Sequence, residues 1–501
     1  MKGCLLLQRR FAYLGHGIAC HLKERYGVSE FCGYVYLRSS YRYLKSQTDI
    51  QYTTLLLDEN IHEQYKNEQV DPAYLSWLEK EYGIPNLWPF LTVDRVLISS
   101  QLVREYPHDR PMYSHENLLR ILQAHARALE SLLERERPDF FFGSVLGGVG
   151  SYLLYSMCKR KGIKTLILHP TPLTGNTLRY LLSEKYEEYT SVDSLYKSFL
   201  GSLHNSPSID NAQNYLKNFR HLPTTYYKKA SPSAQSVTRK KQLKFLHPLN
   251  AWRSLSVFAR NILNYYSNTD RFDYSCISPW SYLKDLVKRK TRNIIGLTDL
   301  YDQFDPTVDF AFFPLQLEPE ISSLLHAPFW TNQINLAKQI ARSLPIHYKL
   351  VVKEHPQMVE YRTRSFYREL KKIPNLVLVN PIISSFQITP KAKIIFTLTG
   401  SVGWEGALLG KPIISFGHWF YNILPHVTHC TNIEALPSLV NELLSNPLGT
   451  DVELITYIAA LLEETIEINI PHLWEDEPDL EKKKEGVRPL ADILAKKLGL
   501  H

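Results

Sequence analysis

Short hydrophobic runs alternate with amphipathic segments along most of the chain, a pattern that is typical of parallel α/β domains. Strands are predicted at residues 3–8 and 31–37, with a helix at 14–26 between them. A long amphipathic helix is predicted over 115–137, and a strand, a glycine-rich turn, a helix and a strand at 164–168 follow it. The first part of the chain is therefore predicted to form a Rossmann-like domain.

A second α/β pattern begins near residue 309. Strands are predicted at 310–314, 348–352, 376–379 and 394–396, and helices at 330–344, 365–371, 431–446 and 451–466. Because parallel strands joined by helices end at the same edge of a sheet, the loops after these strands are expected to form a ligand site.

The stretch 394–417, IIFTLTGSVGWEGALLGKPIISFG, predicts a strand, a tight polar turn, a short helix and a second strand. Thr399, Gly400 and Ser401 supply a glycine bend and two hydroxyl groups at the helix start. A helix start suits a phosphate, because its free N–H groups and partial positive charge attract anions. Glu405 lies one turn after Ser401 and is expected to accept ribose hydroxyl groups. The alternative is an ordinary βαβ unit in which Ser401 only caps the helix.

Three polar loops follow predicted parallel strands, at 316–320, 353–356 and 399–401. They are expected to converge on one cleft, since they leave the same edge of the sheet. Lys353 and His355 would supply positive charge to a phosphate, and carboxylates would bind hydroxyl groups. A histidine followed by proline is by itself typical of an ordinary loop, but the three loops together favour a functional site.

Length and charge divide the chain further. A chain of 501 residues exceeds one ordinary core. The predicted segments are a Rossmann-like domain at 1–180, a basic linker or helical insertion at 181–300, a second Rossmann-like domain at 301–470 and a tail at 471–501.

The formal net charge of +8 is concentrated between residues 228 and 292, where 14 Lys and Arg stand against 3 Asp and Glu. This segment is expected to meet an anionic partner.

An amphipathic helix is predicted at 252–266 within the basic segment. Trp252 and Tyr266 lie on its apolar stripe, whereas Arg253 and Arg260 lie elsewhere on the helix. A basic helix of this kind can lie on an anionic membrane surface. The alternative is a helix that packs in the cleft between domains, because apolar stripes usually face a core.

Composition and cysteine spacing exclude several classes of protein. The 44% hydrophobic content is typical of a soluble globular chain, and no N-terminal signal peptide is evident, so a cytoplasmic location is expected. The six cysteines lie far apart with no C-x-x-C pair, which predicts neither a disulfide framework nor a zinc site. Residues 140–158 carry no charge, but their glycines divide them into a strand, a turn and a helix rather than a transmembrane span.

Four motifs of the second α/β pattern are specific: FFPLQLEPE, the K-x-H-P of YKLVVKEHP, SFYRELKKIPNLVLVNP and TGSVGWEGALLGKPIISFG. In these motifs the chain resembles the bacterial capsule polysaccharide biosynthesis family, which includes the retaining Kdo transferases of capsule and lipopolysaccharide assembly. The segment DFFFGSVLGGVGSYLLYSMCKRKGIKTLILHPTPLTGN fits the same family more loosely. The resemblance implies a GT-B-like α/β fold, in which two Rossmann-like parallel-sheet domains face a cleft and the C-terminal one binds a nucleotide sugar.

The resemblance also implies an activity. The chain would be a glycosyltransferase that uses a CMP-activated sugar, without a metal or other cofactor, and a polysaccharide or glycolipid acceptor. The expected location is cytoplasmic or peripheral on the inner face of the plasma membrane, with an anionic membrane surface as the partner of 228–292 and no nucleic-acid partner. Alternatives are a CDP-alcohol polyol-phosphate transferase, a UDP-sugar 2-epimerase, and a non-catalytic subunit of a capsule assembly complex.

Carried over to this sequence, the family's site has a donor side and an acceptor side. The resemblance assigns the nucleotide phosphate and ribose to Lys353, Thr399, Gly400, Ser401 and Glu405. His355 would stabilise the leaving phosphate, while Glu320, followed by Glu318, would be the carboxylate near the reacting sugar. Position alone suggests acceptor-side roles for Arg9, Arg10, Ser144 and His169, each of which has a structural role as its alternative.

Overall fold

The computed structural model describes residues 1–9, 11–100, 102, 111–174, 177–201, 206–223, 238–267, 272, 274–446 and 449–500. The chain divides into two compact units, the first made of 1–97, 113–212 and 456–501 and the second of 98–112 and 213–455. This division differs from the four consecutive segments expected from the sequence, because the C-terminal residues belong to the first unit.

The first unit contains a seven-stranded sheet. Its strands are β1 (Lys2–Leu7), β2 (Glu30–Val35), β3 (Tyr52–Leu57), β4 (Phe140–Gly143), β5 (Lys164–Thr174), β6 (Leu178–Ser183) and β13 (Ile466–Glu467). They lie in the order β13-β6-β5-β4-β1-β2-β3. The pairs from β5 to β3 are parallel, whereas β6 is antiparallel to both of its neighbours.

The helices described up to Leu200 lie in the first unit, except that the sixth crosses its boundary after residue 97. They are α1 (Phe11–Tyr26), α2 (Arg38–Ser46), α3 (Asp58–Glu63), α4 (Pro72–Tyr82), α5 (Trp88–Thr92), α6 (Arg95–Ser99), α7 (His115–Glu136), α8 (Val149–Arg160) and α9 (Thr190–Leu200). The uncharged stretch 140–158 forms β4, a turn and α8, as its glycines predicted. Of the described helices, none is both long and apolar enough to cross a membrane.

The C-terminal residues form two helices of the first unit, α21 (Leu480–Gly486) and α22 (Arg488–Leu498), where the sequence predicted a tail. Both pack against α1. The contact is close, since a Cβ atom at Gly17 of α1 would lie 3.1 Å from Cα of Lys484. Leu490 and Leu494 recur with helical spacing and are buried there.

The second unit contains six parallel strands. They are β7 (Phe310–Pro314), β8 (Lys349–Lys353), β9 (Leu376–Val379), β10 (Ile394–Thr397), β11 (Ile413–Ser415) and β12 (Val427–His429), in the order β12-β11-β10-β7-β8-β9. The chain runs outward from β7 to β9 and then returns to β10 on the other side of β7. The order therefore reverses between β7 and β10, which is where ligands bind in doubly wound sheets.

The remaining described helices vary in length, and the longest two belong to the basic segment. They are α10 (Ile209–His221), α11 (Arg239–Leu243), α12 (Pro248–Ser267), α13 (Pro279–Ile295), α14 (Ile321–Leu324), α15 (Gln333–Ser343), α16 (Arg364–Leu370), α17 (Ser385–Ile388), α18 (Ser401–Leu408), α19 (Leu436–Ser445) and α20 (Asp451–Glu464). Boundaries between the two units fall within α6, α10 and α20. The two sheets confirm the expected mixed α/β class with two Rossmann-like domains.

Candidate functional site

The loops after β7, β8 and β10 meet at the reversal of strand order in the second unit. β7 lies between β8 and β10, and all three are parallel. Leu315 N donates to the carbonyl of Lys353 at 2.9 Å, which holds the first two loops side by side. A Cβ atom at Gly400 would lie 2.7 Å from Nε2 of Gln316, so the first and third loops also touch. The structure therefore brings together the three loops that the sequence singled out.

Gly400 is required by this close approach rather than by an unusual backbone conformation. Its N–H donates to Oγ1 of Thr397 at 3.0 Å, and its carbonyl accepts from the hydroxyl of Tyr421 at 3.0 Å. Thr399, which was expected to bind phosphate, donates its hydroxyl to the carbonyl of Ser322 at 2.9 Å. Both residues thus shape the loop, and the Thr399 hydroxyl is already committed to the backbone.

The start of α18 leaves donors for a ligand. The N–H of Gly403 donates to the carbonyl of Gly400 at 3.0 Å. The amides of Ser401 and Val402 precede that bond and, like the first amides of any helix, have no partner within the helix. The two N–H groups of this helix start can therefore donate to an anion.

Lys353 is the cation of the site. It is the last residue of β8 and is only 7% exposed. Within the described part of the chain, its ammonium group forms no hydrogen bond and no ion pair. Burial lowers the pKa of Lys353 to about 8, although the carboxylates of Glu354 and Glu405 oppose this shift. The group is therefore charged at neutral pH, and an unpaired buried charge favours an anionic ligand.

Glu405 is the carboxyl group of the site. It is 3% exposed, and neither carboxyl oxygen accepts a well-formed hydrogen bond from the described residues. Burial raises the pKa of Glu405 to about 7, although nearby Ser401 and the Lys353 ammonium oppose the shift. A carboxyl group that titrates near neutral pH can donate or accept a hydrogen bond to a hydroxyl group of a ligand.

His355 contributes a neutral donor instead of the expected positive charge. Its Nδ1 accepts a hydrogen bond from the N–H of Gln357 at 3.3 Å, so the proton of the neutral ring lies on Nε2. Burial lowers the pKa of His355 to about 4, and the charges of Lys353 and Arg362 lower it further. At neutral pH the ring can therefore donate one hydrogen bond from Nε2.

A buried ionic network holds the loops after β7 and β8, and the sequence did not predict it. Arg362 is 1% exposed, and its Nη1 contacts Oε1 and Oε2 of Glu354 at 2.6 and 2.8 Å. Its Nη2 donates to Oε2 of Glu318 at 2.8 Å and to the carbonyl of Gln316 at 2.9 Å. Burial alone would lower the pKa of Arg362, but the two carboxylates raise it above its ordinary value.

The network orients His355 and changes the interpretation of Glu318. Oε1 of Glu354 accepts the N–H of His355 at 2.6 Å, and Oε2 accepts the hydroxyl of Tyr367 at 2.9 Å. Glu318, expected near the reacting sugar, is instead buried with one carboxyl oxygen on Arg362. Glu320 is exposed, and its carbonyl accepts the N–H of Leu324 at 2.8 Å at the start of α14. Of the two expected carboxylates, only Glu320 is accessible.

The acceptor-side candidates lie in the first unit, and Arg10 is outside the described residues. Arg9 and Ser144 follow β1 and β4, the neighbouring strands between which the order of the first sheet reverses. Gln8 links these two loops by donating to the carbonyl of Val145 at 2.6 Å. Arg9 is exposed, whereas Ser144 is buried. Both residues therefore lie where the strand order reverses, as does the site of the second unit.

His169 was expected just after a strand but lies within β5, which continues to Thr174. Its ring is buried and lies 5.2 and 5.4 Å from the ring centroids of Tyr186 and Tyr189. Burial lowers the pKa of His169 to about 4. These contacts support the structural alternative for this histidine.

Sequence and structure comparisons bear on the second unit most directly. Residues 201–433 match the model of a family described as capsule polysaccharide biosynthesis protein. Protein FixF of Sinorhizobium fredii (strain NBRC 101917 / NGR234) is 30% identical over 121 residues, which are 23% of this chain and 28% of FixF. The chain thus spans less than a third of the length of this curated relative. The family match confirms the resemblance found in the sequence motifs.

Two solved structures of Thermosulfurimonas dismutans KpsC are also similar. The one titled beta Kdo 2,7 transferase is 12% identical and covers 73% of this chain and 89% of its own, with a TM-score of 0.36. The one titled beta Kdo 2,4 transferase is 14% identical and covers 67% of this chain and 83% of its own, with a TM-score of 0.38.

Replacing Arg362 by methionine should lower the free energy of unfolding by about 3–5 kcal/mol, because two buried carboxylates lose their cation. Equilibrium urea unfolding measures this change. The same substitution at Arg368, an exposed residue of α16, is the matched control and should change the free energy by less than about 0.5 kcal/mol. Equal stabilities of Arg362→Met and Arg368→Met would show that the network does not hold the loops.

Proposed function

We propose, from the match of residues 201–433 to the capsule polysaccharide biosynthesis family, that this chain is a glycosyltransferase. It transfers a sugar from a nucleotide-activated donor, CMP-linked in this proposal, to a cell-surface polysaccharide or glycolipid. The observation that carries the proposal is the buried Lys353 ammonium, which has no anionic partner at hydrogen-bond distance among the described residues. A donor phosphate would supply the missing anion.

The chemistry of the proposed transfer needs help mainly at the leaving group. The bond between the anomeric carbon of the sugar and the phosphate oxygen breaks, and negative charge develops on the phosphate. Lys353, Nε2–H of His355 and the first amides of α18 are the groups that would stabilise this charge. Because all three belong to the protein, the proposed transfer requires no metal ion.

The remaining site residues are given roles by their positions after the strands. Glu405, one turn into α18, would bind the ribose hydroxyl groups, for which a carboxyl group with a pKa of about 7 is suited. Glu320 is the proposed carboxylate near the reacting sugar, since Glu318 is held by Arg362. Arg9 and Ser144 are the proposed acceptor-side residues in the first unit.

Donor hydrolysis tests this proposal. The protein is incubated with CMP-Kdo, CMP-sialic acid, UDP-N-acetylglucosamine, GDP-mannose and CDP-glycerol, and released nucleotide is measured. CMP release from a CMP-sugar is expected, and His355→Ala should lower kcat about 10²–10³-fold because one donor to the developing oxyanion is lost. His347→Ala is the matched control, since His347 is largely exposed and should not affect kcat.

The other results of that assay are also decisive. CMP release from CDP-glycerol alone would favour a polyol-phosphate transferase over a glycosyltransferase. Release of UDP or GDP would overturn the CMP-linked donor but keep sugar transfer. If no donor is cleaved with or without capsule oligosaccharide and glycolipid acceptors, the glycosyltransferase proposal is wrong and a non-catalytic subunit remains.

The proposal includes a peripheral position on the cytoplasmic face of a membrane, reached through the basic segment 228–292. None of the residues of α12 is buried, so its apolar stripe is not packed in a core. Trp252 and Leu263 are 71% and 70% exposed, and Trp280 of α13 is 59% exposed. The rings of Phe258 and Trp280 lie 6.2 Å apart, which joins α12 to α13.

Positive charge accompanies this apolar surface. The exposed cations are Lys240, Lys241, Lys244, Arg253, Arg260, Lys284 and Lys288. An exposed apolar helix with basic neighbours gains free energy both from burial in the lipid interface and from attraction to anionic headgroups. These features support an anionic membrane over the alternative of a helix packed in a cleft.

Cosedimentation with lipid vesicles tests the membrane contact. The protein should bind vesicles that contain phosphatidylglycerol, bind phosphatidylcholine vesicles less, and dissociate as salt is raised, because screening weakens attraction to the surface. The double variant Trp252→Glu, Leu263→Glu should lose most of the binding. Ile346→Glu changes a fully exposed apolar residue elsewhere and should bind normally. Unchanged binding of the double variant would contradict a membrane role for α12.

A further inference from the structure

His16, Cys20 and Asp49 form a compact cluster in the first unit, and none of them belongs to the proposed donor or acceptor sites. One ligand atom from each residue lies within 4.8 Å of the corresponding atoms of the other two. His16 and Cys20 are four residues apart on α1 and so lie on one face of the helix. Asp49 precedes β3 and is exposed, whereas the other two are buried. The cluster therefore combines a rigid pair of ligands with an adjustable third.

The imidazole ring of His16 is oriented for binding through Nε2. Its Nδ1 lies 3.1 Å from the hydroxyl of Tyr52, and its Nε2 lies 3.7 Å from Sγ of Cys20. When Nδ1 donates to Tyr52, the lone pair on Nε2 points toward the sulfur. Histidines that bind metals use the same arrangement, in which the distal nitrogen is fixed by an outer hydrogen bond.

The spacing of the two buried ligand atoms matches a tetrahedral metal ion. With a metal–sulfur distance of about 2.3 Å and a metal–nitrogen distance of about 2.05 Å, tetrahedral geometry places the two ligand atoms about 3.5–3.6 Å apart. The observed 3.7 Å is within about 0.2 Å of that value. The Asp49 carboxylate lies within 4.8 Å of both atoms, so its exposed side chain would need to move by at most about 1.5 Å to bind the same ion.

We propose that His16 Nε2, Cys20 Sγ and the Asp49 carboxylate bind one divalent metal ion of the zinc type, with water as the fourth ligand. The ion replaces the proton of the Cys20 thiol, so that Cys–SH and M²⁺ give a metal-bound thiolate and one released proton. The thiolate and the Asp49 carboxylate together balance the charge of the ion. The site would join α1 to the chain segment that enters β3.

Two lysines lie near the cluster, and each is already bonded to an oxygen atom. Lys484 is paired with Glu24 at 2.8 Å, and Lys23 donates to the carbonyl of Asp49 at 2.6 Å. Burial raises the pKa of Cys20 to about 11, although Lys484 opposes the shift. The thiol is therefore protonated without the ion, and the affinity for metal should rise with pH. Sequence reasoning predicted no zinc site, because it considered only the spacing of the cysteines and not the pairing of Cys20 with His16.

Titration of chelator-treated protein with Co²⁺ tests the site independently of any catalytic activity. One equivalent of Co²⁺ should produce a sulfur-to-cobalt charge-transfer band in the near ultraviolet, release about one proton and be displaced by Zn²⁺. Cys20→Ser should abolish the band. Asp49→Asn, which changes an exposed side chain, should weaken binding at least about 10-fold with no loss of folding.

Cys276→Ser is the control, because Cys276 is the most accessible of the six thiols and the main source of unspecific binding. It should leave the titration unchanged. The absence of a charge-transfer band, a band that persists in Cys20→Ser, or an affinity unaffected by Asp49→Asn would each overturn the site. In that event the contact between Cys20 and His16 is an ordinary S–H···N hydrogen bond.

Discussion

The buried guanidinium group of Arg362 is the interaction on which the candidate donor site depends. Two carboxylates and one backbone carbonyl, from the loops after two neighbouring strands, share this single cation. Removing such charges from water is costly, and their attraction offsets the cost only when the geometry is nearly complete. The loops are therefore held in the arrangement that brings both carboxylates and the carbonyl to the guanidinium group. That arrangement fixes Gln316 against Gly400 and fixes the backbone N–H of His355 on Glu354.

The network also explains why no carboxylate of the described residues forms an ion pair with the Lys353 ammonium group. Glu354 and Glu318 are both committed to Arg362, so neither forms an ion pair with Lys353. Glu405 is the other buried carboxyl group close to Lys353, and burial keeps its pKa near 7. The site consequently offers a buried ammonium group and hydrogen-bond donors that no carboxylate of the described residues contacts directly. A phosphate group bound there would complete the pairing, which links the folding of these loops to the proposed function.

The hydrophobic pattern predicted the second unit well because its strands are mostly buried and its loops carry polar motifs. The predicted strands 310–314 and 376–379 coincide with β7 and β9. Arg362 was not predicted, because an arginine in a loop before a helix usually lies in solvent. The C-terminal helices α21 and α22 were also missed, since the lysines and glutamates of 475–485 conceal the apolar positions that face α1. Contacts between residues far apart in the sequence, rather than local propensity, determine both features.

The affinity for CMP as a function of pH tests the central claim most directly. Isothermal titration calorimetry from about pH 7 to about pH 9.5 avoids the ionisation of the nucleotide phosphate itself, whose second pKa is about 6. Because the pKa of Lys353 is about 8, its ammonium group loses its proton in this range, and affinity should fall as pH rises, by up to about tenfold per unit. Lys353→Arg should lose this dependence above about pH 8, where arginine stays charged and Glu405, whose pKa is about 7, is already ionised. An affinity that does not change with pH in the unmodified protein, or that falls equally in Lys353→Arg, would contradict the account.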